Sequence, residues 1–168
     1  MDGGALLNQA VHSVDLMTWL LGVPDDVFCW TARLAHERID VEDTAVATVR
    51  FPSGALGVVH ATTAAYPGSG ARLQVHGDKG CAVLDQDRLV TLITADGSPT
   101  DVAAAPAATP VDAFVAQYED FIAAAAERRT PLVDVADGAQ TLAVLQAMHD
   151  SAAVGRPCPV QRTTSSAW

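Results

Sequence analysis

Basic side chains are scarce in this sequence. It carries 10 Lys and Arg against 20 Asp and Glu, for a formal net charge of -10. Nucleic-acid phosphates need a basic footprint, so this balance argues against a nucleic-acid partner. It argues equally against an anionic membrane surface. No apolar run is long enough to span a bilayer. The first residues lack the basic stretch that precedes the apolar segment of a signal peptide, so a cytoplasmic location is expected. Cysteine is sparse as well. Cys29, Cys81 and Cys158 are scattered and odd in number, a pattern that fits neither a disulfide framework nor a metal motif. Each reads as a small apolar residue in a reducing compartment. There is no G-x-G-x-x-G between a strand and a helix, and no β-α-β alternation. Gly68-Ser69-Gly70 sits between strands and lacks the third glycine. A dinucleotide-binding unit is therefore not expected in these residues.

What is present suits a folded domain. Hydrophobic residues make up 49% and charged residues 18% of 168 positions, far from a disordered composition. A chain of this length buries roughly 68–70% of its unfolded surface. The pattern predicts a helix ending near Gly22, then strands over 26–36, 44–51, 55–65, 72–76, 81–84 and 89–95. In the second strand Ala45, Ala47, Val49 and Phe51 alternate with Thr44, Val46, Thr48 and Arg50. Pro52-Ser53-Gly54 and Gly77-Asp78-Lys79-Gly80 read as turns. Residues 98–109 read as an irregular connection. Two helices follow, over 111–129 with Phe114, Tyr118, Phe121 and Ile122 on one face, and over 137–154 with Leu142, Leu145, Met148 and Ala152 inward. Trp19 and Trp30 read as core residues. The expected fold is α+β: an open, mostly antiparallel sheet with helices packed on one face. Residues 1–160 are expected to form one domain and 161–168 a frayed polar tail. The second sheet face, with Val46, Thr48, Leu56, Val58 and Thr62, is too apolar to stay wet and points to self-association.

The chemistry concentrates near the start. Gly3 and Gly4 open the first helix, and Asn8, His12 and Asp15 follow at i, i+4 and i+7 on one face of it. Titratable and amide groups stacked on an otherwise apolar helix suggest a site. The residues alone also allow a packed or surface histidine, an Asn8 that caps the helix start and an ordinary exposed Asp15. A metal reading is weaker, because Asn is a poor ligand and no Cys-rich or second His-rich segment lies nearby.

This opening resembles the start of the C-terminal domain of the Gfo/Idh/MocA oxidoreductases, the family of glucose–fructose oxidoreductase and inositol dehydrogenase. Their pattern, roughly G-G-x-L-x-[D/N]-x-G-x-H-x-x-D, falls here on Gly3, Gly4, Leu6, Asn8, His12 and Asp15, with Ala10 in place of the usual Gly. Val41-Glu42-Asp43-Thr44-Ala45, Phe51 to Gly57, Val75 to Gly80 and Ala152 to Pro157 resemble successive later segments of the family, in the same order.

The resemblance implies an NAD(P)-dependent oxidoreductase acting on a sugar, inositol or related polyol. It implies that the cofactor, NAD or NADP, sits on a Rossmann domain outside these residues. The family's Glu-Lys-Pro motif, with its assisting lysine, belongs to that domain too. This chain alone is then expected to be inactive and to bind no nicotinamide. His12 takes the catalytic general acid/base role, since imidazole titrates near neutral pH. Asn8 orients a substrate hydroxyl, because an amide hydrogen-bonds but cannot take a proton. Asp15 is a further substrate-binding candidate and is placed to hydrogen-bond the His12 ring. Tyr66 and Arg72 are candidates for the substrate mouth, the alternative being a plain glycine-rich hairpin tip. The resemblance also implies a homodimer or higher oligomer through the sheet face. The alternative is a non-catalytic binding or dimerisation domain that lacks or borrows its dinucleotide-binding half.

Overall fold

The computed structural model describes residues 3–86, 88–97 and 109–163. In chain order they form a π-helical turn (Leu6–Ala10), α1 (Val11–Leu21), β1 (Asp26–Ala32), β2 (Thr44–Arg50), β3 (Leu56–Thr62), β4 (Arg72–Gly77), β5 (Gly80–Asp85), β6 (Arg88–Thr94), α2 (Pro110–Glu127), α3 (Val135–Val154) and β7 (Cys158–Pro159). The chain divides into two compact units, Met1–Ser69 with Val135–Trp168, and Gly70–Asp134. The expected α+β class with antiparallel pairing holds. The strands form two sheets, however, one of order β3-β2-β1-β7 and one of order β4-β5-β6.

In the first unit, alternation sets the two faces of the sheet. Direct pairing puts Val27 beside Val49, Cys29 beside Ala47, and Ala47 beside Val59. All five are buried, together with Ala45, Phe51 and Ala61. The α3 helix packs against β1, β7 and α1, and the π-helical turn packs on β3. The opposite face carries the cross-strand rows Phe28–Thr48–Val58 and Trp30–Val46–His60. Leu56 and Val58 are 80% and 72% exposed there. Phe28 and Trp30 meet edge-on with ring centroids 4.1 Å apart.

Several expectations need correction. The first strand stops at Ala32 instead of running to 36, because the next backbone N–H groups turn to a side chain: Leu34, Ala35 and His36 all donate to the Asp43 carboxylate. Trp19 and Trp30 are exposed, not core. On α3 the buried set is Gln140, Thr141, Val144, Leu145, Ala147, Met148 and Ser151, while Leu142 is exposed. Three of these are polar and all are partnered. Ser151 accepts from the Cys29 N–H at 3.0 Å and donates to the Arg156 carbonyl at 2.7 Å. Gln140 donates to the Gln161 carbonyl and accepts from the Thr163 N–H. The start of the expected tail is thus pinned to α3, while 164–168 lie outside the described residues. Polar residues ranked last by apolar periodicity are buried here because each satisfies a backbone group or a partner side chain.

The second unit consists of the meander β4-β5-β6 and α2. Thr109 and Asp112 form a reciprocal capping box at the start of α2, which holds the Asp112 carboxyl below its ordinary range. Arg129 pairs with Asp120 at 2.8 Å just past its end. Phe114, Tyr118, Phe121 and Ile122 are exposed. Of the expected connection, 98–108 fall outside the described residues.

Candidate functional site

The entry to the first helix is held by Glu42, the first of two consecutive acidic residues ahead of β2. Glu42 accepts from the Ala5 N–H through its carbonyl at 2.9 Å and from the Leu6 N–H through its carboxylate at 3.0 Å. The free N–H groups of a helix start are met in this way from outside the helix. Gly4 has a φ of 25° and lies against the Glu42 carboxylate, where any Cβ would collide. Gly4 therefore admits a carboxylate close to backbone, while a Cβ on Gly3 would meet the Leu7 side chain. The chain then makes one π-helical turn, Leu6–Ala10, before α1 begins at Val11. Single π turns are rare and recur at functional sites. The wider turn holds Asn8 and leads directly into the turn holding His12.

Asp43 organises the neighbouring loop. It is fully buried, and its carboxylate accepts from the N–H groups of His36, Leu34 and Ala35 and from the Thr44 hydroxyl. These bonds, the His36 one foremost, hold its carboxyl far below the usual carboxylate range. Cys29, on the buried face of β1, is the opposite case. Burial, helped by the charge of Glu42, pushes its thiol up to about 11. It is thus a packing residue and not a nucleophile.

The candidate side chains themselves are open. Asn8, His12 and Asp15 are all exposed on the π-helical turn and α1. Asn8 makes no capping bond to the helix start. The bond from Asp15 to the His12 ring that their spacing suggests is not made. Asp15 Oδ1 accepts instead from the Thr141 hydroxyl of α3 at 2.6 Å. Tyr66 is 98% exposed on the loop after β3. Arg72 opens β4 opposite Asp85, in the other unit, so the five candidates do not form one constellation within a unit. A depression of about 330 Å³ lies on the loop before β2, lined by Ala35, His36, Glu37, Arg38 and Ile39, and includes none of them. Among the described residues no cluster of His, Cys, Asp or Glu is arranged to hold a metal. No strand among them runs through a glycine-rich loop into a helix. No helix among them is long and apolar enough to cross a membrane. Chemically, the exposed face carries an imidazole, an amide and an oriented carboxylate.

Sequence reasoning missed Glu42 and Thr141 as supports. Glu42 lies in the quoted Val41-Glu42-Asp43 segment, where an acidic pair ahead of a strand was the available signal. Thr141 gave none, since its role depends on the approach of α1 and α3.

Known proteins resemble this chain in sequence and fold. The GFO/IDH/MocA C-terminal domain matches residues 1–83. The chain belongs to the Gfo/Idh/MocA family. It is 36% identical over 101 residues to myo-inositol 2-dehydrogenase of Thermotoga maritima, covering 57% of this chain and 30% of that protein. Identity to inositol 2-dehydrogenase 2 of Paenarthrobacter aurescens is 30%, covering 88% of this chain and 45% of the relative. The WlbA dehydrogenase of Bordetella pertussis, solved in complex with NADH and UDP-GlcNAcA, superposes with a TM-score of 0.81 at 30% identity, over 95% of this chain and 49% of that one. This Gfo/Idh/MocA chain thus spans half or less of the length of these relatives, and its match is to their C-terminal domain.

Proposed function

We propose that this chain is the substrate-binding and dimer-forming part of a cytoplasmic NAD(P)-dependent oxidoreductase acting on a secondary hydroxyl of a sugar, inositol or related polyol. Residues 1–160 serve as that domain and 161–168 as its tail. The observation that carries the reading is the exposed pair Asn8 and His12, set on consecutive turns at a π-to-α transition that Glu42 anchors. A nicotinamide held by a Rossmann half would supply the hydride acceptor. His12 takes the hydroxyl proton as the hydride leaves carbon, and returns it in the reverse direction. Asn8 holds the substrate by an amide hydrogen bond, and Asp15, Tyr66 and Arg72 supply further contacts. The cofactor is assigned to the other half, in keeping with the match of this chain to the family's C-terminal domain. Exposure of the site in this chain fits a cleft completed by that half.

A second reading has an observation of its own. Leu56 and Val58 stand on the helix-free sheet face at 80% and 72% exposure, which suits a pure assembly domain. The test assays NAD⁺ and NADP⁺ reduction with inositols and aldoses, by the chain alone and by the chain joined to a Rossmann half. Turnover only in the joined protein is the expected result. A joined protein that binds nicotinamide and dimerises but turns over no hydroxyl substrate supports the assembly reading instead.

A further inference from the structure

Thr141 is a polar residue on the most buried stretch of α3. It is 4% exposed and precedes the buried run of Val144, Leu145, Ala147 and Met148. A buried hydroxyl without a partner is costly, and valine fills nearly the same volume without that cost. In a helix a threonine hydroxyl commonly bonds back to its own chain, four residues earlier. Here it reaches across to α1 and donates to Asp15 Oδ1 at 2.6 Å, between residues 126 positions apart. A hydrogen bond to a carboxylate is short and among the stronger kinds. Asp15 is exposed, so its free rotamers would otherwise be several. Its second oxygen, Oδ2, has no hydrogen-bond partner among the described residues, and neither oxygen bonds His12.

We propose that Thr141 is a positioning residue for substrate specificity. It fixes Asp15 through Oδ1 and leaves Oδ2 aimed to accept a hydrogen bond from a substrate hydroxyl that is not the one being oxidised. The inference rests on the proposed function and adds to it a buried determinant outside the site helix. A carboxylate anchored by one oxygen selects a polyhydroxylated substrate, because only a second hydroxyl can donate to the other oxygen. A substrate with a single hydroxyl gains nothing from it.

The test uses the chain joined to its Rossmann half, with steady-state kinetics on an inositol and on a monohydroxylated cyclohexanol. Thr141→Val should raise KM for the inositol by about tenfold while leaving kcat within about threefold, as expected for loss of a ground-state positioning contact. Thr141→Ser, which keeps the hydroxyl, should restore KM. Asp15→Ala should raise KM similarly, and the double variant should be no worse than Asp15→Ala, since the two residues act as one unit. KM for cyclohexanol should not move in Thr141→Val. Additive effects in the double variant overturn the proposal, as does an unchanged inositol KM in Thr141→Val. The His12 assignment is read separately through kcat of His12→Ala, so failure of one is not failure of the other.

Discussion

Gly4 and the Glu42 carboxylate compete for one position: the side chain of Glu42 fills the space that a Cβ on Gly4 would need. The carboxylate is the end of a flexible side chain, but it is not free to retreat. Moving it breaks its 3.0 Å bond to the Leu6 N–H. With φ at 25°, Gly4 is also in a region that L side chains enter with strain. Gly4→Ala should therefore destabilise the chain by about 1–3 kcal/mol. Glu42→Gln, which keeps an acceptor oxygen, should be milder than Glu42→Ala. Urea unfolding of the three variants checks the order, and an unchanged midpoint for Gly4→Ala contradicts it.

Asp43 supplies a pH signature. Its carboxylate is stabilised by N–H groups of His36, Leu34 and Ala35, so its folded-state pKa is depressed. A depressed carboxyl adds stability that is complete above its unfolded pKa, about 4, and is lost as pH falls from there towards the folded value. Asp43→Asn removes the charge and turns one acceptor into a donor facing backbone N–H groups. At pH 7 it should lower Tm by about 5–10 °C. Its stability should also vary less than that of the wild type below pH 4. Thermal melts from pH 3 to pH 7 test both statements, and parallel profiles for the two proteins would count against the cage.

The helix-free sheet face leads to an association prediction. Val58 pairs across β2 with the row of Thr48 and Phe28 and is 72% exposed. In a homodimer closed through this face, Val58→Asp buries an unpartnered charge, at a penalty of roughly several kcal/mol. In the monomer the same aspartate stays in water. Light scattering at high micromolar concentration should give a dimer for the wild-type chain and a monomer for the variant. A monomeric wild type rules the interface out.

Much of this architecture is legible in the residues, and what escapes has a common cause. Ala45, Ala47, Val49 and Phe51 are buried as their alternation requires, because period 2 alone decides which face of a strand they occupy. The Thr109–Asp112 cap is local in the same sense. The π-helical turn at Leu6–Ala10 is not local: it is seated by Glu42, 36 positions from Leu6. The short β7 at Cys158–Pro159 likewise exists only by pairing with Asp26 and Val27. Polar burial at Gln140, Thr141 and Ser151 defeats a count of apolar residues, since each partner is distant in sequence. Trp19 and Trp30 read as core residues in the sequence, yet both are exposed in the structure. For the site, the order Asn8, His12, Asp15 is visible at once, but not that Asp15 is committed to Thr141.

His12 is the residue proposed to move the proton. Among Asn8, His12 and Asp15, only imidazole both takes and returns a proton near neutral pH, while the amide of Asn8 can only orient. Loss of a general base lowers rate by about 10²–10⁴-fold. The direct measurement is kcat of His12→Ala in the chain joined to its Rossmann half, with Asn8→Ala alongside. The proton-transfer assignment of His12 requires a fall of that size for His12→Ala, with KM within a few-fold, and an effect of Asn8→Ala mainly on KM. A kcat for His12→Ala within about threefold of wild type, well short of what a lost general base produces, contradicts it and makes the helix a scaffold.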